Sequence, residues 1–516
     1  MQSVKNPILA GFYPDPSMCF ANGKYYLVTS TFAYFPGVPI FESEDLHSWR
    51  QIGHVLTRST QLPLLGARQS QGIFAPSIRF HDGIFYMITT NVSHRGNFVV
   101  TASDPAGEWS DPHYIEGAAG IDPSLFFDDD GTCYYIGQRE NPAGPKYYGD
   151  CVVWIQKFNT QTMQLEGDFT AVWGGAMKNA IWPEAPHIYK KDGYYYLLHA
   201  EGGTSFSHAN TIARSREIFG PYEGSPNNPF FSHRTLGKNF PIQNVGHADM
   251  VQTPDGEWYT VMLATRPKYG HTLLGRETFI ARVAWENGWP VFNPSEGRLL
   301  DTQPIHLPKK NVTPVSNFYR FTAKTLDKRL VGIRLLNEEM YALGAELNCL
   351  RLFMRNVPIT DMQNPSYLGV RQQHHNFFAH TFCEIKGEKD GDLAGLVLHQ
   401  SNEDHVQFVA QRQGGAYALK AIVVKKGEAR VAEAALLSQG EALRIYLRII
   451  QEENVIRLEY ALEDGNFLPF ADNICANFMS TESAWGFVGC TVGMYAEGAA
   501  NSGGYADFDY FAYEAL

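Results

Sequence analysis

A turn followed by aromatic residues, met five times, constrains this chain more than any other feature. Asn22-Gly23 precedes Lys-Tyr-Tyr-Leu, Asp82-Gly83 precedes Ile-Phe-Tyr-Met, and Asp130-Gly131 precedes Thr-Cys-Tyr-Tyr. Asp192-Gly193 and Asp255-Gly256 lead into Tyr-Tyr-Tyr-Leu and Glu-Trp-Tyr-Thr. An Asn-Gly or Asp-Gly pair between apolar runs is a strong hairpin signal, because both residue types tolerate the positive φ of a tight turn. The five glycines stand 60, 48, 62 and 63 residues apart. Self-similarity at this period predicts a propeller or array, each repeat being one small sheet that cannot bury both its faces alone.

A second regularity follows the first. Eight or nine residues before each glycine, where an inner strand would begin, stand Asp15, Ala75, Asp122, Glu184 and His247. If each repeat is a blade, these positions ring a common axis and bring three carboxylates to its mouth. Like charges held close raise one another's pKa and cost stability, so such a cluster points to chemistry rather than packing. Asp15 lies between Pro14 and Pro16, which restrict its backbone and fit it for a fixed role. Phe74 reads equally as core or as an aromatic wall for a sugar ring. The run Asp128-Asp129-Asp130 lacks the ligand spacing of a calcium loop and reads as a solvated hairpin tip.

Composition narrows the partners. The 516 residues carry a net charge of −12, which argues against nucleic acid and anionic membrane surfaces. With 13% aromatics, 47 glycines and 28 prolines, the chain suits a turn-rich all-β protein of two domains. Seven cysteines, an odd number without Cys-x-x-Cys spacing, read as reduced and mostly buried thiols. No stretch approaches 18 uninterrupted apolar residues, and the first ten lack the apolar centre of a leader. The expectation is a cytoplasmic protein, with homo-oligomerisation left open.

After Pro304-Ile-His-Leu-Pro-Lys-Lys310 the Asp-Gly-aromatic hairpins stop. The division expected is a first domain over 1–303, a linker over 304–314 and a second domain over 315–516. In the last part Leu443, Ile445, Leu447 and Ile449 alternate with Arg444, Tyr446 and Arg448, and the pattern resumes at Ile456, Leu458, Tyr460 and Leu462. One buried and one wet face per strand predicts an antiparallel, jelly-roll-like β-sandwich.

Three carboxylates and a histidine on one axis, with aromatics nearby, point to cleavage of a glycosidic bond. That reaction needs a carboxylic acid to protonate the leaving oxygen and a carboxylate to act at the anomeric centre, with environment holding their pKa values apart. Glu184 follows the apolar Ile-Trp-Pro and suits the acid; Asp15 suits the base; Asp122 could tune Glu184 and orient it. A lone histidine such as His247 is usually a hydrogen-bonded packing residue, but its place among three acids points at least as much to a substrate contact or a metal ligand. No cofactor is expected to be required, and a structural calcium near His247 is the one metal considered.

Tyr13-Pro-Asp-Pro-Ser, Gly120-Ile-Asp-Pro-Ser-Leu and Trp182-Pro-Glu-Ala-Pro-His resemble the three acidic motifs of family 43 glycoside hydrolases, and the resemblance extends over the whole chain. It implies a five-bladed β-propeller followed by a β-sandwich, carrying an inverting exo-enzyme with Asp15 as base, Asp122 as pKa modulator and Glu184 as acid. It also implies that Phe32, Phe74, Ala75, Thr204, His247 and Arg276 line the subsite for the cleaved sugar. The members resembled most are two-domain β-xylosidases, often with α-L-arabinofuranosidase activity, so a short xylo-oligosaccharide or an arabinosyl substrate is expected. A relative acting mainly on arabinofuranosyl groups is the alternative; a non-catalytic carbohydrate-binding propeller is the alternative of another class. Many relatives have Trp where Phe74 stands. Some insert an aromatic from the second domain near Gly489–Met494, where this chain offers Thr491, and Tyr495 or another ring could substitute.

Overall fold

The structure is a computed structural model that describes residues 2–312, 315–344 and 346–516. It is all-β: among the described residues, helix is confined to two single turns, Ala476–Met479 and Thr481–Ala484. No helix is long and apolar enough to cross a membrane among the described residues. All seven cysteines are free, six of them buried.

The first part holds five separate four-stranded antiparallel sheets. Each predicted turn lies between the first two strands of one sheet. Asn22-Gly23, Asp82-Gly83 and Asp192-Gly193 have both residues at positive φ, between 48° and 80°. That is the backbone of a two-residue hairpin whose twist matches its strands. The other two turns are longer. Gly131 and Gly256 alone of their pairs take positive φ, and their N–H groups donate to Asp128 O and Thr253 O at 2.9 Å.

The first strands of the sheets are Ser17–Ala21, Ser77–His81, Ile121–Phe127, Glu184–Lys191 and Gln243–Gln252. Each lies against the next, and the fifth returns to the first, so they close a ring. An apolar cluster fills each gap between neighbouring sheets: for example Val28, Ile40 and Met87 between the first and second, and Met18, Leu27 and Val261 between the fifth and first. This explains why second strands such as Trp258–Thr265 are buried throughout rather than alternating. Both faces of each sheet meet a neighbour, so polar residues gain no wet side.

In the last part an eight-stranded and a six-stranded antiparallel sheet face each other across one core. Leu443, Ile445, Leu447 and Ile449 point into it, while Arg444 is exposed and Arg448 pairs with Glu459 on the outside. Ile456 and Leu458 follow suit, but the strand ends at Ala461. Leu462, expected to continue the buried face, is 51% exposed because it begins the turn that leads to the next strand.

Between these parts, Pro304 and Ile305 belong to a strand, Thr302–Ile305, that pairs with Gln2–Lys5. Thr313 and Pro314 of the expected linker lie outside the described residues. The two parts dock closely. Gly332–Ile333 pairs with Tyr34–Phe35, and Arg334, fully buried, donates to Ala67 O at 2.6 Å and to the side chain of Asn402 at 2.7 Å. At Gly275 and Gly489 the two backbones touch: a Cβ on Gly275 would stand 2.7 Å from Gly489 N, and one on Gly489 would stand 2.4 Å from Leu274 O. No other residue fits such an approach.

Candidate active site

The acids stand together at the beginnings of the first strands, Asp15 just before its strand and Asp122 and Glu184 at the starts of theirs. Asp15, Asp122 and His247 share an unusual backbone, with φ of 55°, 53° and 55°. A non-glycine residue at positive φ breaks the alternation of the strand and turns its side chain toward the axis. The fourth sheet departs from the expected register. There the positive-φ residue is Ala185, at 53°, and Glu184 stands one residue before it. A spacing of nine residues from the turn thus hides a one-residue offset. Glu184 opens its strand opposite Ala200, and the ladder is irregular between Glu184 and His187.

Asp15 is almost wholly buried and fully engaged. Arg276 donates from Nη1 to its Oδ1 at 2.7 Å and from Nη2 to its Oδ2 at 3.3 Å, and the Ser30 hydroxyl donates to Oδ2 at 2.5 Å. His247 Nδ1 lies 3.7 Å from Oδ1. Burial by itself would raise the pKa of this carboxyl, but Arg276, His247 and the Ser30 hydrogen bond outweigh it and hold it below the usual carboxylate value. Asp15 is ionised at neutral pH.

The other two acids lean the opposite way. Burial raises Asp122, and the negative charge of Asp15 adds to it; the Ala185 N–H and Arg276 oppose. Glu184 is pushed well above its ordinary value by burial, then by the charges of Asp122 and Asp15. One pocket therefore pushes its acids in opposite directions, Asp15 toward its charged form and Glu184 toward its protonated form.

All nine residues expected from the sequence line this pocket, together with Ile121, His208 and Phe487. Arg276 also donates to Thr204 Oγ1 at 3.2 Å, joining the fourth and fifth sheets at the pocket. Phe32 and Phe74 stand edge to face at 5.6 Å between ring centres. Phe487, from the second part of the chain, stacks on Phe32 at 5.9 Å and meets Phe74 edge-on at 5.8 Å. It completes the aromatic wall. Tyr495, one of the rings considered for that place, is fully buried in a core instead, with its hydroxyl accepting from Ile359 N at 2.9 Å. Thr491 is likewise buried, bonded to Tyr367 at 2.8 Å.

His208 and Phe487 were not legible from spacing. His208 packs against Gly246, where a Cβ would fall 2.3 Å from the imidazole, so glycine is what lets the ring approach His247. Its Nδ1 bonds Asn244 O at 2.9 Å, which leaves Nε2 as an acceptor with no partner among the described residues. Burial, with Asn244 opposing and His247 and Arg276 assisting, lowers His208 to about 4. His247 is lowered by burial too, against the pull of Asp15. The positive charge of the site is that of Arg276. No group of three or more His, Cys, Asp or Glu side chains is arranged to hold a metal ion among the described residues.

Deeper in the ring a second network ties together four of the five first strands. Asp249 accepts from Ser17 at 2.6 Å, from Tyr189 at 2.5 Å and from Arg79 at 2.9 and 3.1 Å; Arg79 also bonds His187 Nδ1 at 2.9 Å. These residues come from the first, second, fourth and fifth sheets. A buried charge pair is worth keeping where it fixes one arrangement, and here that arrangement sets the spacing of the pocket.

Residues 4–290 match the glycosyl hydrolases family 43, and residues 319–514 match the beta xylosidase C-terminal concanavalin A-like domain. The chain belongs to glycosyl hydrolase family 43. Like other members it is a glycoside hydrolase. It is 49% identical, over an alignment of 521 positions that covers 100% of both chains, to a xylosidase/arabinosidase of Butyrivibrio fibrisolvens. It is 35% identical to a non-reducing end alpha-L-arabinofuranosidase of Bacteroides ovatus, over 100% of this chain and 95% of that one. Among solved structures, the xylan beta-1,4-xylosidase of Bacillus halodurans superposes with a TM-score of 0.93 at 34% identity, covering 99% of this chain and 100% of that one. These family 43 relatives match both parts of the chain and not the first alone.

Proposed function

We propose that this chain is an inverting, exo-acting β-xylosidase that releases xylose from the non-reducing end of β-1,4-xylo-oligosaccharides, with α-L-arabinofuranosidase activity in the same pocket. The observation that carries the reading is the opposite proton affinity of Asp15 and Glu184 within one cavity. Inversion needs a base that is charged before the reaction starts and an acid that still holds its proton. Asp15 takes a proton from water as that water attacks the anomeric carbon. Glu184 gives its proton to the departing glycosidic oxygen. Asp122, by its charge, keeps the proton on Glu184 until then. Arg276 holds Asp15 in place and offers N–H groups to sugar hydroxyls, while Phe32, Phe74 and Phe487 enclose the apolar faces of one ring.

The architecture proposed is a catalytic five-bladed β-propeller over 1–303, each four-stranded sheet being a blade, then a linker over 304–314 and a jelly-roll-like sandwich over 315–516. The chemistry is proposed to run without a metal, since Arg276 already supplies the positive charge next to Asp15 and His247. Calcium beside His247 would meet that guanidinium. The free thiols fit a reducing compartment, and cytoplasmic location is the proposal that cell fractionation tests.

The arabinofuranosidase reading has its own support in the names of the Butyrivibrio and Bacteroides relatives. β-D-Xylopyranose and α-L-arabinofuranose present similar hydroxyl patterns to a single closed pocket. The deciding experiment is proton NMR of the protein with xylobiose, recording the anomer released before mutarotation. α-Xylose first supports the inverting roles. β-Xylose first means that a carboxylate acts as nucleophile and the roles are wrong. Release from aryl arabinofuranosides alone transfers the reading to the arabinofuranosidase.

A further inference from the structure

Glu184 is reached through a segment that the pocket itself does not use. Trp182, two residues earlier, is at most about 7 Å away along the chain and is not part of the cavity lining. Its backbone has φ of 49°, a region that bulky residues rarely take and that functional sites more often retain. The segment is held on both sides. Trp182 N donates to Gly149 O at 2.8 Å, and Gly202 N donates to Ile181 O at 2.9 Å. The half-buried indole rests on Gly203, where a Cβ would fall 2.7 Å from its six-membered ring. Gly203 precedes Thr204, which lines the pocket together with Glu184. Trp182 therefore adjoins the cavity at the proposed proton donor.

Tyr148 meets that indole edge to face, with ring centres 5.2 Å apart and planes at 75°. It stands on the loop between two strands of the third sheet, Cys133–Glu140 and Cys151–Asn159. Glu140 pairs with Cys151 at the base of the loop, and Glu184 is near enough to add to the burial that raises the Cys151 thiol. The loop is braced. Asn141 Nδ2 and Lys146 N donate to the Asp150 carboxylate at 3.2 and 2.8 Å, and Tyr147 OH donates to Ala180 O at 2.9 Å. Tyr148 nevertheless keeps 79% of its surface in water. Single exposed aromatic residues are common and need no function. This one is carried beside the acid by a braced loop and a tryptophan in an uncommon conformation. A leaving sugar is bonded to the oxygen that Glu184 protonates, so it lies beside Glu184 and outside the cavity that encloses the cleaved unit.

We propose that Tyr148, propped by Trp182, is the stacking surface for the leaving sugar next to Glu184, a neutral pyranose whose apolar face covers the exposed phenol ring. The site favours a sugar as leaving group and takes no part in proton transfer. It is built from the third and fourth sheets, apart from the wall of Phe32, Phe74 and Phe487 around the cleaved unit. The inference rests on the xylosidase reading above.

The test compares xylobiose with β-D-xylosyl fluoride, whose leaving group has no ring to stack, for the full chain and for Tyr148→Ala and Tyr148→Phe. Loss of one stacking contact corresponds to a fall of up to about tenfold. The expected result for Tyr148→Ala is that fall in the ratio of kcat/KM for xylobiose to kcat/KM for the fluoride. Tyr148→Phe, which keeps the ring, retains most of the wild-type ratio. An unchanged ratio in Tyr148→Ala overturns the site. So does a ratio in Tyr148→Phe as low as in Tyr148→Ala, which makes the hydroxyl and not the ring face the contact. If the wild type cuts no xylo-oligosaccharide, the functional reading fails and this inference with it; cleavage of xylobiose with an unchanged ratio in Tyr148→Ala defeats this inference alone.

Discussion

Arg276 Nη1 lies 2.7 Å from Asp15 Oδ1, and the two residues are 261 positions apart in sequence. This contact closes the ring between the first and fifth sheets at the point where the proposed base must be charged. Arg276→Met removes the cation that most strongly opposes the burial of Asp15, so the pKa of Asp15 rises. The acidic limb of the pH profile of kcat/KM moves to higher pH, and the rate at its optimum falls by on the order of 10–100-fold, the worth of a charged hydrogen bond. Wild-type rates after dialysis against EDTA should not change. An unmoved acidic limb in the variant would show that Arg276 binds sugar but does not set the base.

Glu184→Gln removes the proton donor and leaves the shape. Turnover of xylobiose should fall by on the order of 10²–10⁴. Aryl xylosides with good leaving groups need little protonation and should lose much less. Steady-state kinetics on the two substrate types decides the matter, and equal losses reject Glu184 as the acid.

Asp122→Asn takes away the charge that, after burial, does most to raise Glu184. The pKa of the acid then falls, so kcat/KM declines at lower pH than in the wild type. The basic limb shifts toward acid. A profile that keeps its basic limb assigns Asp122 to another task.

Phe487→Ala opens one side of the pocket without touching the acids. Each aromatic pair contributes about 0.5–1.5 kcal/mol beyond its area. KM for aryl xylosides should therefore rise several-fold, with a smaller change in kcat. A thermal midpoint equal to that of the wild type shows that the loss is local to the pocket.

Stability should carry its own pH signature through His54. Burial, together with Arg371 and Lys328, pushes this imidazole from 6.5 down to about 3. A depressed histidine stays neutral when folded while the unfolded chain takes up a proton below 6.5. The stability it contributes is thus present above that pH and is lost progressively as pH falls toward 3. At pH 5 the loss from one such group is about 2 kcal/mol. His54→Gln should reduce the difference in unfolding free energy between pH 7 and pH 5 by about this amount, measured by urea titration. An unchanged difference would place the acid sensitivity elsewhere.

The parts of this protein legible in its sequence are those written locally. The Asp-Gly turns announce the hairpins because backbone sign and residue type are tied within two positions. Asp15 and Asp122 are legible because a proline follows each of them in a repeated frame. Glu184 was found by the same spacing, yet its offset from Ala185 was not, since a bulge changes register without changing composition. Phe487 was out of reach. Its partner Phe32 is 455 positions away, and the two meet only because Gly275 and Gly489 let two backbones touch. The Asp249 network is out of reach for a similar reason: its members come from four different repeats, and nothing within one repeat says which side chains of the others they meet.

Under the proposed function, the ring that Phe487 lends to the pocket gives the last part of the chain a share in holding the substrate. An enzyme assembled this way cannot gain or lose that domain as a detachable accessory. Truncation leaves a catalytic floor with one side open, and exchange with a relative's domain imports a different wall. Over evolutionary time the loop between Ser480 and Phe487 can therefore retune substrate choice while the three acids stay untouched, and chimeras joined near residue 310 are the constructions in which that inheritance becomes visible.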